Sequence, residues 1–173
     1  LYVCNVDEAG AAGGNAQSAR VAEMAKRQGA GSIVISARIE EELAQLRAED
    51  RGDYLVRHHR VRAEIVDLLG LEEPGLNRLI RAGYDLLGLI TFFTAGPKEA
   101  RAWTVRKGAR APQGAGVIHT DFEKGFIRAE TIAYEDYVAC NGEAGAREAG
   151  KFRLEGKEYV VQDGDVMHFR FNA

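Results

Sequence analysis

The chain has 173 residues with a formal net charge of −3, and 46% of them are hydrophobic and 28% charged. This composition is typical of a globular protein with one or two buried cores. No apolar run approaches the roughly 20 residues needed to span a bilayer, and no secretory leader pattern is evident. The only cysteines, Cys4 and Cys140, lack the spacing of a metal site. We therefore expect a reducing compartment, the cytoplasm.

The first third of the chain has the pattern of a strand–helix–strand unit. The apolar runs at 1–4 and 32–36 are typical of strands buried on both faces, as in a parallel sheet. Between them, Asn15 is a predicted helix N-cap and Gly29 a predicted helix end. Because two parallel strands cannot cover both faces and both edges of a sheet, we expect this unit to be the last part of a larger α/β domain.

The pattern is helical from about 38 to 88 and alternates thereafter. Apolar residues at helical spacing predict helices around 39–46, 61–69 and 76–87, the last starting near Pro74 and closed by Gly88. Predicted strands follow at 89–95, 100–106, 126–134, 159–161 and 166–171, with a short helix over 112–118. The last strand places Met167, Phe169 and Phe171 on one face, and His168 and Arg170 on the other. These elements predict a compact α+β domain.

Two polar loops follow the two predicted parallel strands, and they are the candidate binding site. Residues 5–8 (Asn5-Val6-Asp7-Glu8) follow the first strand, and Ser36-Ala37-Arg38 follow the second. Ligands bind beyond the carboxyl ends of the strands in open α/β sheets. Many P-loop GTPases carry Asn-Lys-x-Asp here, and its Asp reads guanine. The longer Glu8 is displaced from that position, which favours adenine; an acidic loop without a ligand is the alternative interpretation.

Several segments, in this order, resemble the Obg-like ATPase (YchF) family: residues 5–8, 36–40, 70–76, 92–96, 101–104, 119–126 and 163–166. The resemblance implies an α/β fragment of a P-loop nucleotide-binding domain of the OBG type over residues 1–88. It implies an α+β, ubiquitin-like β-grasp TGS domain over residues 89–173. It also implies that the intact protein associates with ribosomes and hydrolyses ATP slowly.

The resemblance further implies which residues bind the cofactor ATP. Asn5, Val6 and Glu8 are the adenine-specificity segment, and Ser36 and Ala37 form the second base-contacting loop. The chain has no Gly-rich phosphate loop ending in Lys-Ser/Thr and no evident acidic strand end for Mg²⁺. We therefore expect Mg²⁺ and the phosphates to be held by a part of the protein that precedes this chain. No catalytic residue and no metal ligand is predicted here, and hydrolysis is not expected of this chain alone.

A second hypothesis concerns binding rather than hydrolysis. Between residues 96 and 128, seven Lys and Arg residues stand against three Asp and Glu residues, although the whole chain is acidic. A local basic surface fits contact with RNA, the ribosome or its large subunit; a solvated surface of mixed charge is the alternative. The competing function is therefore a non-enzymatic RNA-, ribosome- or protein-binding TGS module from another TGS-containing protein. The role of the basic segment 57–62 stays open.

Four other residues have a chemical and a structural interpretation. His119 near Asp121 could serve acid–base chemistry, but without a nucleophile nearby in the sequence it is better interpreted as a hydrogen-bonded turn residue. Trp103 could stack on a base, although a core or half-buried position is typical of tryptophan. His58 and His59 lack the spacing of a metal helix, so we predict no metal there.

Overall fold

The computed structural model describes residues 1–47 and 75–172. The chain divides into two compact units, with the boundary between Leu86 and Leu87. This boundary lies two residues before the one expected from the sequence. The predicted helix at 61–69, the predicted helix start before Gly75 and the basic segment 57–62 lie outside the described residues. In the part that is described, no helix is both long enough and apolar enough to cross a membrane.

The first unit contains the predicted strand–helix–strand arrangement. Strands β1 (Tyr2–Asn5) and β2 (Ser32–Ile35) are parallel, and helix α1 (Ala16–Arg27) connects them. The Asn15 side chain accepts a hydrogen bond from Ser18 N at 2.9 Å, and the Ser18 hydroxyl accepts one from Asn15 N at 2.8 Å. This capping box satisfies two N–H groups at the helix start. Gly29 ends the segment in the left-handed region, at φ +66°, as predicted.

Burial on both faces of these strands is not observed. Val3 is 46% exposed and Tyr2 36% exposed. Within the described residues the sheet consists of β1 and β2, so each strand is an edge strand. The apolar residues of β1 therefore lack the neighbouring strands that would cover them in a wider parallel sheet.

Two further helices complete the described part of this unit. Helix α2 (Ala37–Gln45) buries Ile39 and Leu43 against Ala11. Helix α3 (Gly75–Leu87) begins where the Glu40 carboxylate accepts hydrogen bonds from Gly75 N at 2.7 Å and Leu76 N at 3.2 Å. A carboxylate at this position also matches the positive end of the helix dipole. The helix ends before Gly88, which has φ +61°.

The second unit contains a five-stranded mixed sheet. Its strands are β3 (Leu89–Ala95), β4 (Ala100–Arg106), β5 (Phe126–Ala133), β6 (Arg153–Glu155) and β7 (Asp165–Phe171). Their spatial order is β4-β3-β7-β5-β6. The central pair, β3 and β7, is parallel, and the other neighbours are antiparallel. The helices of the unit are α4 (Ala111–Ile118), α5 (Thr120–Lys124), α6 (Tyr134–Ala139) and α7 (Glu143–Glu148).

The predicted fourth strand is wrong. Residues 159–161 form no strand, and Val160 makes an isolated antiparallel bridge with Arg110. Ala111 N donates to Tyr159 O at 2.8 Å, and Val161 N donates to Ala109 O at 2.9 Å. The segment therefore pairs with the turn before α4. The strand beside β5 is β6, which the sequence pattern did not indicate.

The core of this unit lies between one face of the sheet and helix α4. Phe92, Ala129, Met167 and Phe169 point from the sheet into this core. The rings of Phe92 and Phe169 meet edge to face at 5.8 Å between centroids, a favourable aromatic arrangement. The small residues Ala111 and Ala115 of α4 are fully buried in the same cluster. The predicted inward face of the last strand is thereby confirmed for Met167 and Phe169.

Candidate functional site

The loops after β1 and β2 lie side by side at the carboxyl ends of the two strands. Asn5 Oδ1 accepts a hydrogen bond from Ala37 N at 3.0 Å. Val6 N donates to Ile35 O at 2.9 Å, which extends the strand pairing by one residue. The structure therefore brings both predicted base-contacting loops to one edge of the sheet, although 32 positions separate Asn5 from Ala37.

Two of the predicted site residues are buried at this edge. Val6 is 9% exposed and Ser36 is 3% exposed. Ser36 is the N-cap residue of α2, but its side chain makes no capping hydrogen bond. Its buried hydroxyl has no hydrogen-bond partner among residues 1–47 and 75–172. A buried hydroxyl without a partner costs about 1–3 kcal/mol, so this group has unmet bonding capacity.

Glu8 lies in a short 3-10 turn (Glu8–Gly10), which begins where the Asp7 carboxylate accepts from Gly10 N at 2.9 Å. Glu8 Oε1 is 2.9 Å from Arg38 Nε. Both side chains are largely exposed, so this ion pair contributes little to stability. Its consequence is orientation, because it directs the Glu8 carboxylate towards a cation. The sequence placed Arg38 in the second loop but did not predict its contact with Glu8.

A second polar cluster lies on the sheet of the other unit, on the side away from the core. We name this surface the β5–β7 face and define it by Arg128, Glu130, His168 and Arg170. Arg128 pairs with Arg170 across the two strands, and Glu130 pairs with His168. Sequence reasoning had placed His168 and Arg170 on this outer side, and the register confirms it.

Glu130 is the centre of this face and is 7% exposed. Its two carboxylate oxygens accept hydrogen bonds from Arg170 Nε at 3.0 Å and Arg170 Nη2 at 3.1 Å. Arg147 Nη2 lies 3.6 Å from the same carboxylate and Arg128 Nη2 lies 4.0 Å from it. The hydrogen bonds from Arg170 hold the pKa of Glu130 below its usual value, although burial opposes them, and the charges of Arg170, His168 and Arg147 add to the lowering.

The basic residues counted between 96 and 128 do not share one surface. Arg101 lies over the ring of Trp103 at 4.3 Å, on the core side of the sheet. Arg110 pairs with Glu158 at 2.7 Å near the start of α4. Of that set, Arg128 belongs to the β5–β7 face. The count along the sequence therefore missed Arg147 and Arg170, because strand pairing and not sequence position brings them together.

The remaining predicted residues have structural positions. His119 is the N-cap of α5, where its Nδ1 accepts from Asp121 N at 3.2 Å. Trp103 is partly buried against the core, and its Nε1 donates to Thr94 Oγ1 at 2.9 Å. Both observations match the structural interpretations. Within the described ranges, no group of three or more His, Cys, Asp or Glu side chains could hold a metal ion.

Comparison with known proteins shows related sequences over the whole chain. The family model YchF-GTPase_C, described as "Protein of unknown function (DUF933)", matches residues 89–172. The ribosome-binding ATPase YchF of Haemophilus influenzae is 58% identical over 173 residues, which is 100% of this chain and 44% of that protein. Obg-like ATPase 1 of Gallus gallus is 43% identical over 156 residues, or 89% of this chain and 36% of that protein. The chain spans less than half the length of these curated relatives.

Solved structures give a consistent result. The Schizosaccharomyces pombe YchF GTPase superposes with a TM-score of 0.76 at 35% identity, covering 98% of this chain and 43% of that one. A GTP binding protein from Pyrococcus horikoshii OT3 superposes with a TM-score of 0.65 at 23% identity, covering 98% of this chain and 45% of that one. The second similarity supports the fold alone. The names of these proteins differ on the nucleotide, since the curated relatives are called ATPases and the two structures are described as a GTPase and a GTP binding protein.

Proposed function

This chain belongs to the YchF family, and we propose that it supplies the base-binding loops and a TGS domain to a cytoplasmic, ribosome-associated protein that binds and hydrolyses ATP. The names of the relatives from Haemophilus influenzae and Gallus gallus support the ATPase activity, and the first also supports the ribosomal partner. We propose that the phosphates and Mg²⁺ are bound by residues equivalent to the part of the relatives that this chain does not span. Residues 1–88 then form the end of the nucleotide-binding domain and residues 89–173 the TGS domain.

The topology of the second unit supports the TGS assignment. Numbered within the unit, the strand order is 2-1-5-3-4, with the first and last strands parallel at the centre. Helix α4 packs on one face of this sheet. This arrangement supports the proposed ubiquitin-like β-grasp. The family model covers nearly the same residues, 89–172.

The observation that carries the nucleotide proposal is the hydrogen bond between Asn5 Oδ1 and Ala37 N. It fixes both loops at the end of the sheet where ligands bind in α/β proteins. With Oδ1 engaged, the Nδ2 amino group of Asn5 is left to donate to an acceptor such as the N7 atom of a purine. Ala37 adds exposed apolar surface, Val6 is buried at the same edge, and the buried Ser36 hydroxyl has unmet hydrogen-bonding capacity.

The Glu8–Arg38 pair supports adenine over guanine. Recognition of guanine requires a carboxylate that accepts from N1–H and from the exocyclic amino group. Here the Glu8 carboxylate is 2.9 Å from Arg38 Nε, and this contact directs it towards a cation and not towards the N1–H and amino donors of guanine. Adenine has neither donor and loses nothing when this carboxylate is engaged elsewhere. We therefore propose ATP as the preferred nucleotide.

Calorimetric titration of the natural full-length protein with ATP and with GTP tests this proposal. The wild type should bind ATP more tightly, and Glu8→Asp should reduce that preference, because the shorter carboxylate no longer reaches Arg38 in the same geometry. Glu41→Asp makes the same chemical change at an exposed position of α2 and should leave the preference unchanged. Equal affinities for the two nucleotides in the wild type would contradict the adenine assignment.

A binding role for the TGS domain is a second component of the same function. The β5–β7 face concentrates guanidinium groups around one buried carboxylate, which favours an anionic partner. The match across the whole chain favours the YchF family over other TGS-containing proteins as the source of this domain.

A further inference from the structure

We infer that the β5–β7 face binds the phosphate backbone of single-stranded RNA, with Arg128, His168 and Arg170 as the contacting residues. The inference rests on the proposed ribosomal partner and makes it more specific: it names RNA as the component that is bound and one face of the sheet as the surface that binds it. The three contacting residues lie on two neighbouring strands, outside the loops assigned to the nucleotide.

The register of β5 and β7 places two like charges next to each other. Arg128 and Arg170 are directly opposite, and directly opposite like charges destabilise a strand pair. Their side chains are 52% and 49% exposed, whereas the Glu130 side chain is 8% exposed. The carboxylate therefore lies beneath, and the two guanidinium groups lie at the surface. Glu130 reduces the repulsion between the two guanidinium groups from below. An anion bound above them would reduce that repulsion further.

The guanidinium groups of Arg170 and Arg147 are held in place before any ligand arrives. Arg170 uses Nε and Nη2 on Glu130, which leaves its Nη1 donors for a ligand. Arg147 lies over the ring of Phe152 at 3.4 Å and donates to Glu143 at 2.7 Å. A guanidinium fixed in this way loses less side-chain entropy on binding. Charge-assisted contacts of arginine with phosphate are among the strong hydrogen bonds available to a protein surface.

The surroundings of the arginines favour RNA over an acidic protein segment. His168 is exposed on β7, two residues before Arg170 and opposite Glu130, and an imidazole ring offers a stacking surface for a base. Ile127 is 49% exposed and Leu154 is 59% exposed, and Leu154 pairs with Glu130 on the same side of the sheet. Single-stranded RNA provides both a charged backbone and flat apolar bases for such a surface. A run of carboxylates would match the arginines alone.

Binding of a fluorescent oligouridylate of about 12 nucleotides, a length within the usual site sizes, tests the inference on the natural full-length protein. Arg128→Ala removes one proposed contact with the phosphate backbone. Within the protein it removes only the 4.0 Å approach of Arg128 Nη2 to the Glu130 carboxylate. We expect it to weaken binding about 3- to 10-fold and to lower the salt-dependence slope by about 0.7, the value for one phosphate contact with a single strand. Arg101→Ala removes the same charge from the other side of the sheet and should leave both quantities unchanged. Because loss of Arg170 alone would remove both of its hydrogen bonds to the buried Glu130 carboxylate, the second test variant is Glu130→Gln combined with Arg170→Gln.

Sedimentation of the same variants with purified ribosomes separates the two proposals. Weaker binding to both ribosomes and the oligouridylate in Arg128→Ala but not in Arg101→Ala supports the inference. A wild type that sediments with ribosomes as strongly as all the variants overturns the inference and leaves the ribosomal partner standing. If Arg128→Ala no longer sediments with ribosomes but the wild type does not bind oligouridylate, the β5–β7 face contacts ribosomal protein and the RNA assignment is wrong. A wild type that fails to sediment contradicts the proposed function, while the oligouridylate result still decides the inference.

Discussion

Arg170 donates two hydrogen bonds, at 3.0 and 3.1 Å, to the two carboxylate oxygens of Glu130 on the neighbouring strand. This bidentate geometry is the one in which arginine and carboxylate interact most strongly. A buried carboxylate without such a partner would be costly. The pair therefore explains how an acidic residue is tolerated in the middle of β5, and it makes the stability of the second unit depend on pH.

Glu130→Gln should lower the free energy of unfolding by about 1.5–3 kcal/mol near neutral pH, the range for hydrogen bonds to charged groups. The pKa of Glu130 is lowered in the folded state, first by Arg170. Its contribution is therefore present above the unfolded pKa of about 4.3 and is lost as the pH falls through the lower folded value. Urea unfolding from neutral pH down to about pH 3 should show the difference from wild type shrinking below about pH 4.

The half-exposed Glu143 provides a control for this experiment. Glu143→Gln should change stability by no more than about 1 kcal/mol, because exposed ion pairs contribute little. A difference between Glu130→Gln and wild type that stays constant across the acid range would show that the Arg170 pair does not set the pKa of Glu130.

Tyr159→Phe should remove an alkaline sensitivity of the same unit. The Tyr159 hydroxyl donates to Asp165 Oδ2 at 2.7 Å, and Asp165 is 2% exposed. Burial, and then the hydrogen bond to Asp165, raises the pKa of Tyr159 well above its usual value. The folded state therefore keeps the proton, and stability is lost as the pH rises above the unfolded pKa of about 10.

At neutral pH we expect Tyr159→Phe to cost about 1 kcal/mol for the lost hydrogen bond. Unfolding measurements from about pH 8 to 11 should show a decline in wild type that is smaller in Tyr159→Phe. Tyr134→Phe, with its residue 52% exposed, is the control and should follow the wild type. An identical decline in Tyr159→Phe and wild type would contradict the prediction.

Local signals predicted the elements whose ends depend on a single residue. Asn15 and Gly29 marked the ends of α1, and Gly88 marked the change from α3 to β3, because capping and positive φ are requirements of individual residues. The predictions failed where pairing partners decide the structure. Residues 159–161 have a strand pattern but pair with the turn before α4, whereas β6 has three residues and two of them are charged. Helices α5, α6 and α7, of five or six residues, are too short to show a helical period.

The same distinction applies to the two candidate sites. The meeting of Asn5 with Ala37 follows from parallel pairing, since both residues stand at strand ends, and sequence alone could predict it. The contact of Glu8 with Arg38 depends on the direction of two long side chains. The contact of Glu130 with Arg170 depends on the β5–β7 register, which shifts between Phe126 and Arg128. Sequence spacing specifies neither relationship.

Gly125 is a glycine that close backbone contact requires, and Gly125→Ala should destabilise the second unit. A Cβ added at this position would overlap the backbone carbonyl oxygen of Asn172, and Asn172 N donates to Gly125 O at 2.9 Å. Backbone cannot move aside as a side chain can, so we expect a cost of about 1–3 kcal/mol. Gly156→Ala is the matched control, because a Cβ there would meet no atom within 4 Å. Thermal unfolding should distinguish the two variants; equal melting temperatures would show that the end of β7 adjusts freely.

Asn5 has two separable roles, and a pair of variants can separate them. In Asn5→Asp, the side chain still accepts from Ala37 N, the bond that measures 3.0 Å in the wild type, but the amide donor is lost. In Asn5→Ala both are lost.

If the amide donates to purine N7, Asn5→Asp should weaken the binding of ATP and of GTP equally, by about 2- to 10-fold for one hydrogen bond, because both bases carry N7. Asn5→Ala should weaken both nucleotides further, because the two loops are no longer tied. Calorimetry on the natural full-length protein gives these affinities. Wild-type affinity in Asn5→Asp would mean that Asn5 only joins the loops and does not touch the base.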